Sequence, residues 1–147
     1  MFDILELVHY GKVSSNGYAE ISVNIQIQGD KTIEFNELRG FIDSGAGRTS
    51  IREGYIRGKI DLSKYQTSKR NSANGDYESI QIPNVFLNLP LMKNNQWLPL
   101  EFIGTVNIID HYDIVIGCDI LHMCEFIYNG ISKTYFLKMY QPAIHEK

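Results

Sequence analysis

Hydrophobic and polar residues alternate most regularly in the first third of the chain, over residues 19–27. Every second residue there is apolar and mostly β-branched, which is typical of a strand with one buried and one solvent-facing side. Gly29-Asp30 follows as a turn signal, and residues 32–42 are predicted to return as the antiparallel partner. The pattern therefore predicts a β-hairpin whose second strand ends at Asp43.

Further apolar segments separated by turn signals extend this β pattern to the C-terminal part of the chain. Asn-Gly pairs are strong hairpin signals, and a proline inside a strand indicates an edge or a bulge. On these grounds strands are predicted over residues 80–89 (interrupted at Pro83), 100–109, 113–117 and 131–140, with hairpin turns at Asn74-Gly75 and Asn129-Gly130.

The remaining segments carry weaker patterns. Residues 52–70 are polar and read as a short helix or irregular structure, and residues 90–99, which include Trp97, read as a loop. A short helix is predicted from Ile120 to about Phe126, with Asp119 as its N-cap. The tail from 141 to 147 contains a proline and is expected to be loose. Together, these segments predict a mainly β protein with a closed or folded-over sheet and one short C-terminal helix.

Composition narrows the class of protein. The chain has 147 residues, of which 44% are hydrophobic and 21% charged, and we expect one globular domain over 1–147. A net charge of −3 argues against nucleic-acid binding. No apolar run approaches the roughly 20 residues that span a bilayer, and the acidic N-terminus does not resemble a signal peptide. With two cysteines, expected as thiols, the sequence predicts a cytoplasmic protein without membrane partners.

The first candidate for chemistry is the acid at the end of the predicted hairpin. Asp43 is followed by Ser44, Gly45 and Ala46, all small, so its carboxylate stands at a strand tip without a bulky neighbour. The glycine permits a close approach of another chain, and the serine hydroxyl can hydrogen-bond locally. Taken alone, such a segment is more often a turn than a catalytic loop.

The second candidate lies near the C-terminus and completes a pair of motifs. Residues 115–121 read Val-Ile-Gly-Cys-Asp-Ile-Leu, a buried strand that stops at a glycine. Apolar-apolar-Asp-Ser-Gly-Ala, an Asn-Gly hairpin and apolar-apolar-Gly-x-Asp-x-Leu thus follow one another in this order. The combination resembles the retropepsin-like aspartic proteases, single-domain relatives of pepsin, over about residues 19–140.

The resemblance implies a role for each matching position. Asp43 would be the catalytic acid, Ser44 would brace the active-site loops, and Gly45 would contact the substrate backbone, with Ala46 completing the loop. Ile116 and Gly117 would pass beneath this loop and support it, with the helix from Ile120 packed below. The hairpin of Asn74, Gly75, Asp76 and Tyr77 would be the flap that closes over substrate, and the terminal strands would join two subunits.

Two departures from the family pattern affect these expectations. Viral members often pair an acid after the alanine with an arginine after the second glycine, whereas this chain has Gly47 and Cys118. Both partners are missing together, so no charge is left unpaired. The chain also exceeds a minimal viral protease through residues 52–70 and 88–99, which could shape or block the cleft.

The chain contains one Asp-Ser-Gly, and a pepsin-type mechanism needs two carboxylates. A twofold symmetric homodimer supplies the second, so that two Asp43 side chains share one proton and activate a water between them. The predicted function is an aspartic endopeptidase without a cofactor or metal, acting on an extended peptide or protein segment. The alternative is a catalytically inactive module of the same fold that binds peptides or only dimerises.

Other chemistries fit the sequence less well. His111, Cys118, His122 and Cys124 are possible zinc ligands, but their spacing is irregular. Ser44 or Ser50 as a nucleophile would need a histidine base, and no elbow motif surrounds either.

Overall fold

The computed structural model describes residues 6–72, 75–107, 111–140 and 145–146, and most of them lie in strands. The strands are β1 (Glu6–Lys12), β2 (Ala19–Ile27), β3 (Ile33–Ile42), β4 (Ser50–Arg52), β5 (Gln66–Ser72), β6 (Gly75–Asn88), β7 (Gln96–Val106), β8 (Ile114–Ile116), β9 (Cys124–Asn129), β10 (Thr134–Tyr140) and β11 (His145–Glu146). Two one-turn helices, α1 (Glu53–Ile56) and α2 (Cys118–Leu121), and a 3₁₀ turn at Leu62–Lys64 complete the described elements.

Six of these strands close into a barrel. The large sheet runs β11-β7-β4-β8-β3-β2-β6-β5, and a further pairing of β6 with β7 joins the two sides. The alternation predicted for β2 is confirmed, because Ile21, Val23 and Ile25 point inward and are buried. Closure leaves the six barrel strands without a free edge, while β11 and β5 extend from β7 and β6. The predicted mainly β, closed-sheet fold is therefore correct.

The interrupted strand around Pro83 has a structural reason. β6 pairs with β5 over Gly75–Gln81 and with β2 over Val85–Asn88, so Pro83 lies where the strand changes partner. Asn84 follows with a φ of 58°, a left-handed backbone conformation. One long strand can thus serve both the hairpin with β5 and the barrel.

A second, three-stranded sheet lies against the barrel in the order β1-β10-β9. Tyr135, Leu137 and Met139 of β10 are buried, as the predicted last strand required. The hydroxyl group of Tyr135 donates to the carbonyl oxygen of Glu20 in β2 at 2.6 Å, and this bond ties the small sheet to the barrel. β1 and β9 are the two edges of the small sheet.

Three local predictions are wrong. The helix expected from Ile120 to about Phe126 ends at Leu121, and residues 124–129 form β9 instead, because they pair antiparallel with β10. Trp97 lies in β7 rather than in a loop, since that strand begins at Gln96. Part of the tail expected to be loose, residues 145–146, pairs with β7, while residues 141–144 and 147 lie outside the described residues.

Candidate active site

Asp43 is mounted directly after β3, a strand held on both sides. β3 pairs antiparallel with β2 and parallel with β8, so Ile42 lies opposite both Ala19 and Ile116. The backbone N–H of Asp43 continues this ladder and donates to the carbonyl oxygen of Ile116 at 2.9 Å. A residue fixed by two neighbouring strands has little freedom to shift, which suits a group that must be held in place.

A tight turn over residues 43–46 holds the carboxylate of Asp43. The N–H of Gly45 donates to Oδ1 of Asp43 at 2.9 Å, and the N–H of Ala46 donates to its carbonyl oxygen at 3.1 Å. Asp43 is half-buried, while Ser44 and Gly45 are exposed. The first of these bonds is an Asx-type turn, which fixes the orientation of the carboxylate relative to the loop.

The second motif lies against this loop. The N–H of Cys118 donates to the carbonyl oxygen of Ala46 at 2.8 Å, and its thiol lies 3.1 Å from the carbonyl oxygen of Ser44. A Cβ on Gly117 would come within 2.5 Å of the carbonyl carbon of Arg48, so this position has no room for a side chain. The structure thus brings Ile116 and Gly117 together with the Asp43 loop.

Thr49 is a residue of this site that sequence reasoning missed. It is fully buried, and both its N–H and its hydroxyl donate to Oδ1 of Asp119, at 2.9 and 2.7 Å. Its hydroxyl oxygen accepts from the N–H of Gly117 at 3.1 Å. Asp119 was expected to cap a helix, but the N-cap of α2 is Gly117, and Asp119 instead ties the two motifs together through Thr49. The Gly-x-Asp spacing was the available signal, and nothing marked Thr49 as its partner.

A cavity of about 310 Å³ opens beside Asp43. It is lined by the motif residues and by aromatic side chains from two other parts of the chain: Gly17, Tyr18, Ala19, Phe41, Ile42, Asp43, Ser44, Phe126 and Tyr128. The rings of Tyr18 and Phe41 pack edge to face, with centroids 4.9 Å apart. An apolar side chain therefore has a place to bind next to the carboxylate.

Behind Phe41 a polar cluster supports the aromatic wall. Tyr112 is buried against Phe41, with ring centroids 4.9 Å apart, and its hydroxyl group donates to Glu20 at 2.8 Å. Arg39 also donates to Glu20, at 3.0 Å. The hydrogen bond from Tyr112, followed by that from Arg39, lowers the pKa of Glu20. Burial, followed by the bond to Glu20, raises the pKa of Tyr112.

The residues expected in the flap lie in the β5–β6 hairpin. Gly75 pairs with Ser72, the exposed Asp76 with Asn71, and the half-buried Tyr77 with Arg70. Asn74 lies outside the described residues. None of the described hairpin residues lines the cavity beside Asp43.

The histidines and cysteines considered as zinc ligands can be placed in the structure. Across 6–72, 75–107, 111–140 and 145–146, no three His, Cys, Asp or Glu side chains come together in a group that could hold a metal ion. Burial raises the pKa of Cys124 to about 12, which makes this thiol a poor ligand and nucleophile. No helix among the described residues is long and apolar enough to cross a membrane.

Comparison with known proteins defines the fold. No family model matches the sequence, and no curated protein matches it. Among solved structures, a retropepsin-like aspartic protease from Rickettsia conorii is similar at a TM-score of 0.57 and 14% sequence identity, over 95% of this chain and 97% of that one. The chain therefore has the retropepsin-like fold, and at this identity the likeness concerns the fold alone.

Proposed function

We propose that this chain is an aspartic endopeptidase that works as a homodimer, with one Asp43 from each subunit. The observation that carries the proposal is the mounting of Asp43: on a retropepsin-like fold, a half-buried carboxylate follows a doubly paired strand and is oriented by the Gly45 N–H at 2.9 Å. One chain supplies one such loop, so the catalytic pair requires a second copy.

The chemistry follows from two like charges held close together. Two Asp43 carboxylates at a twofold axis share one proton, because both cannot easily be ionised, and they titrate as a pair. The ionised carboxylate takes a proton from a bound water, whose oxygen attacks the peptide carbonyl carbon. The protonated one donates to the carbonyl oxygen. When the tetrahedral intermediate collapses, the C–N bond breaks and a carboxyl group passes a proton to the leaving nitrogen.

The substrate is proposed to be an extended peptide segment. Its backbone would hydrogen-bond to the cleft, and its side chains would alternate between pockets, as a strand added to a sheet does. The cavity lined by Tyr18 and Phe41, beside Asp43, fits an apolar side chain next to the scissile bond. We infer that the β5–β6 hairpin covers the substrate, although none of its described residues lines that cavity.

The test is digestion of a peptide library at mildly acidic pH by the wild type and by Asp43→Asn. We expect the substitution to lower the cleavage rate by about 10²–10⁴-fold, since the asparagine keeps the turn but cannot exchange protons. Asp61→Asn is the matched control, because Asp61 also accepts a backbone N–H two residues ahead, from Ser63 at 3.1 Å, and stands outside both motifs. The control should cleave at the wild-type rate.

Two outcomes of the digestion would contradict the proposal. Cleavage that survives Asp43→Asn overturns the assignment of Asp43. A wild-type dimer that binds library peptides but cleaves none of them favours the inactive binding module over the peptidase.

A further inference from the structure

A second cavity, of about 480 Å³, lies at the opposite edge of the small sheet from the cavity beside Asp43. The cavity beside Asp43 is lined in part by residues of β9, whereas this one is lined in part by residues of β1, the other edge strand. The lining of this second cavity, the β1 crevice, consists of residues 9–12, residues 20–22, Glu37, Arg39 and Pro90. The two cavities have no lining residue in common, so the β1 crevice is separate from the candidate active site.

The backbone edge of β1 faces this crevice. Four consecutive residues, 9–12, line it, although successive side chains of a strand point to opposite faces. Consecutive residues share one cavity where that cavity runs along the edge of their strand. β1 pairs with β10 on one side, and on the other it pairs with no strand in the described ranges. Its backbone N–H and C=O groups on that side can therefore hydrogen-bond to another extended chain.

The floor of the crevice belongs to the barrel. Ile21 is buried, while Ser22 is exposed and lies opposite Arg39 in the pairing of β2 with β3. A chain that enters the crevice thus has the edge of β1 beside it and the barrel below it. The β1 strand of a second copy is held by its own β10 and lies over its own barrel, so it cannot enter. A single extended segment fits this space.

A β-bulge brings an acidic side chain to the crevice. The pairing of β2 with β3 shifts register between Val23 and Ile25. In this region Glu37 has a φ of 55°, and its N–H donates to the side-chain oxygen of Asn24 at 2.8 Å. Bulges redirect side chains, and here Glu37 becomes part of the crevice lining. A left-handed backbone is unfavourable for glutamate, so the surrounding structure must hold it there.

Two charges without an ion-pair partner lie at different ends of the crevice. Among the described residues, neither Lys12 nor Glu37 forms an ion pair. Lys12 precedes Val13, which bridges to Ala19, whereas Glu37 lies beside Asn24. From residue 19 to residue 24 a strand advances about 16 Å, at about 3.3 Å per residue. The two charges are therefore separated by the length of about five residues of extended chain.

The other titratable groups of the lining add no net charge. Arg39 and Glu20 form an ion pair at 3.0 Å. Burial lowers the pKa of His9, so its ring is uncharged near neutral pH. With Lys12 and Glu37 the positive and negative charges of the lining balance, which disfavours a free anion or cation as the ligand.

We propose that the β1 crevice binds an extended peptide segment of about five residues, which pairs with the free edge of β1. The segment carries an acidic residue at the Lys12 end and a basic residue at the Glu37 end. A free backbone edge recognises main-chain groups, and the two unpaired charges set the direction of the segment. The segment belongs to another protein, and its binding does not require cleavage at Asp43.

Peptide display tests the proposal. A phage library of random dodecapeptides is selected on the full chain carrying Asp43→Asn, so that bound peptides are not cut. The selected peptides are then titrated by fluorescence anisotropy. We expect peptides with an acidic and a basic residue about five positions apart, and we expect their binding to slow hydrogen exchange at amides of β1. Peptides that bind without changing exchange in β1 overturn the proposal.

A substitution that fills the crevice locates the binding site. Ser22→Tyr places a ring on the exposed floor position and should lower the affinity at least about tenfold. Thr134→Tyr is the matched control, because Thr134 is exposed on β10 and β1 separates it from the crevice. Circular dichroism checks that both variants are folded. If Ser22→Tyr leaves the affinity of every selected peptide unchanged, the crevice is not the binding site.

A charge exchange tests the proposed direction. Glu37→Lys keeps a non-glycine residue at the bulge and should weaken a selected peptide about three- to tenfold. Replacing the basic residue of that peptide by glutamate should restore the affinity. Glu78→Lys, at an exposed position of β6 outside both cavities, is the control and should have no effect. Equal effects of the two substitutions, or no rescue by the altered peptide, overturn the contact with Glu37.

A second copy is the competing occupant of the crevice. Light scattering of the wild type, Ser22→Tyr and Thr134→Tyr distinguishes it from a peptide. We expect the same mass at each concentration for all three proteins. Dissociation caused by Ser22→Tyr alone would assign the crevice to a second copy and overturn the peptide site.

This proposal and the proposed function fail separately. An inactive wild type whose Asp43→Asn variant binds peptides in a way that depends on Ser22 overturns the peptidase and leaves the crevice site standing. Cleavage that depends on Asp43, without any peptide binding that depends on Ser22, overturns the crevice site alone.

Discussion

Gly117 shows how one missing side chain determines the geometry of the loop. A Cβ there would lie 2.5 Å from the carbonyl carbon and 2.6 Å from the carbonyl oxygen of Arg48, and 2.8 Å from the carbonyl oxygen of Ala46. These are backbone atoms, which cannot swing aside as a flexible side chain can. Gly117 has a φ of −106°, so the reason for a glycine is space rather than conformation.

Gly117→Ala is therefore expected to push the Asp43 loop away from β8. We expect a loss of roughly 1–3 kcal/mol in the free energy of unfolding, as for other overpacked sites, and reduced cleavage. Thermal melting measures the first and peptide digestion the second. Gly47→Ala is the control from the same loop, because a Cβ there meets no atom within 4 Å. Equal effects of the two substitutions would contradict this account.

At the scale of single residues, the sequence predicts those that belong to a short motif better than those that link two motifs in space. Asp43 and Gly117 stand out because each belongs to a short motif with a recognisable neighbourhood. Thr49 does not, because its partner Asp119 is 70 residues away and a buried threonine looks like any other polar residue in the sequence. The aromatic lining of the cavity was missed for the same reason, since Tyr18 and Tyr128 are far apart in sequence and come to the same cavity only through the fold.

β9 is the strand that sequence reasoning assigned to a helix. Asp119 resembled an N-cap, so a helix was predicted from Ile120 to about Phe126. The segment from Cys124 also alternates, with Phe126 turned towards the cavity and Ile127 outward. The strand forms because residues 124–129 pair with β10. That pairing is a tertiary contact, which the local sequence does not reveal.

Another prediction concerns the link between β2 and β3. Glu20 on β2 accepts from Tyr112 and from Arg39 on β3, and these bonds lower its pKa in the folded chain. A lowered folded pKa means that the interaction stabilises the fold above the unfolded pKa, about 4.3 for glutamate, and is lost as the pH falls through the folded value. We expect Glu20→Gln to lose less thermal stability than the wild type between about pH 6 and pH 3.

Melting temperatures over that pH range give the measurement. Glu78→Gln, at an exposed position of β6, is the control and should keep the wild-type pH dependence. An unchanged acid dependence in Glu20→Gln would show that this cluster does not couple stability to pH.

At the scale of the whole molecule, the closed sheet could be predicted and its strand order could not. Regular turns between short strands indicate closure, and neighbouring strands such as β2 and β3 pair as the turns require. β3 with β8 and β4 with β7 are parallel pairs of strands far apart in sequence. No turn signal specifies such pairs, because long connections leave many partners open.

If the working unit is a dimer, activity should depend on concentration. We expect the cleavage rate per chain to rise with protein concentration and then level off, because dilution separates the two Asp43 loops. Adding an equal amount of inactive Asp43→Asn should leave about half of the activity, since mixed dimers carry one competent carboxylate. The measurement is the initial rate over a dilution series. A rate per chain that is constant down to concentrations where light scattering detects only monomers would contradict the dimer.

The long connection between the two motifs also has a consequence for synthesis. Thr49 and Asp119 are separated by 70 residues, so a ribosome adding about 5–20 residues per second needs about 4–14 seconds to reach the second after the first. Until then the Asp43 loop lacks the strand and the carboxylate that hold it. A growing chain therefore carries Asp43 before its support, and the loop takes its final form only after residue 119 has left the ribosome.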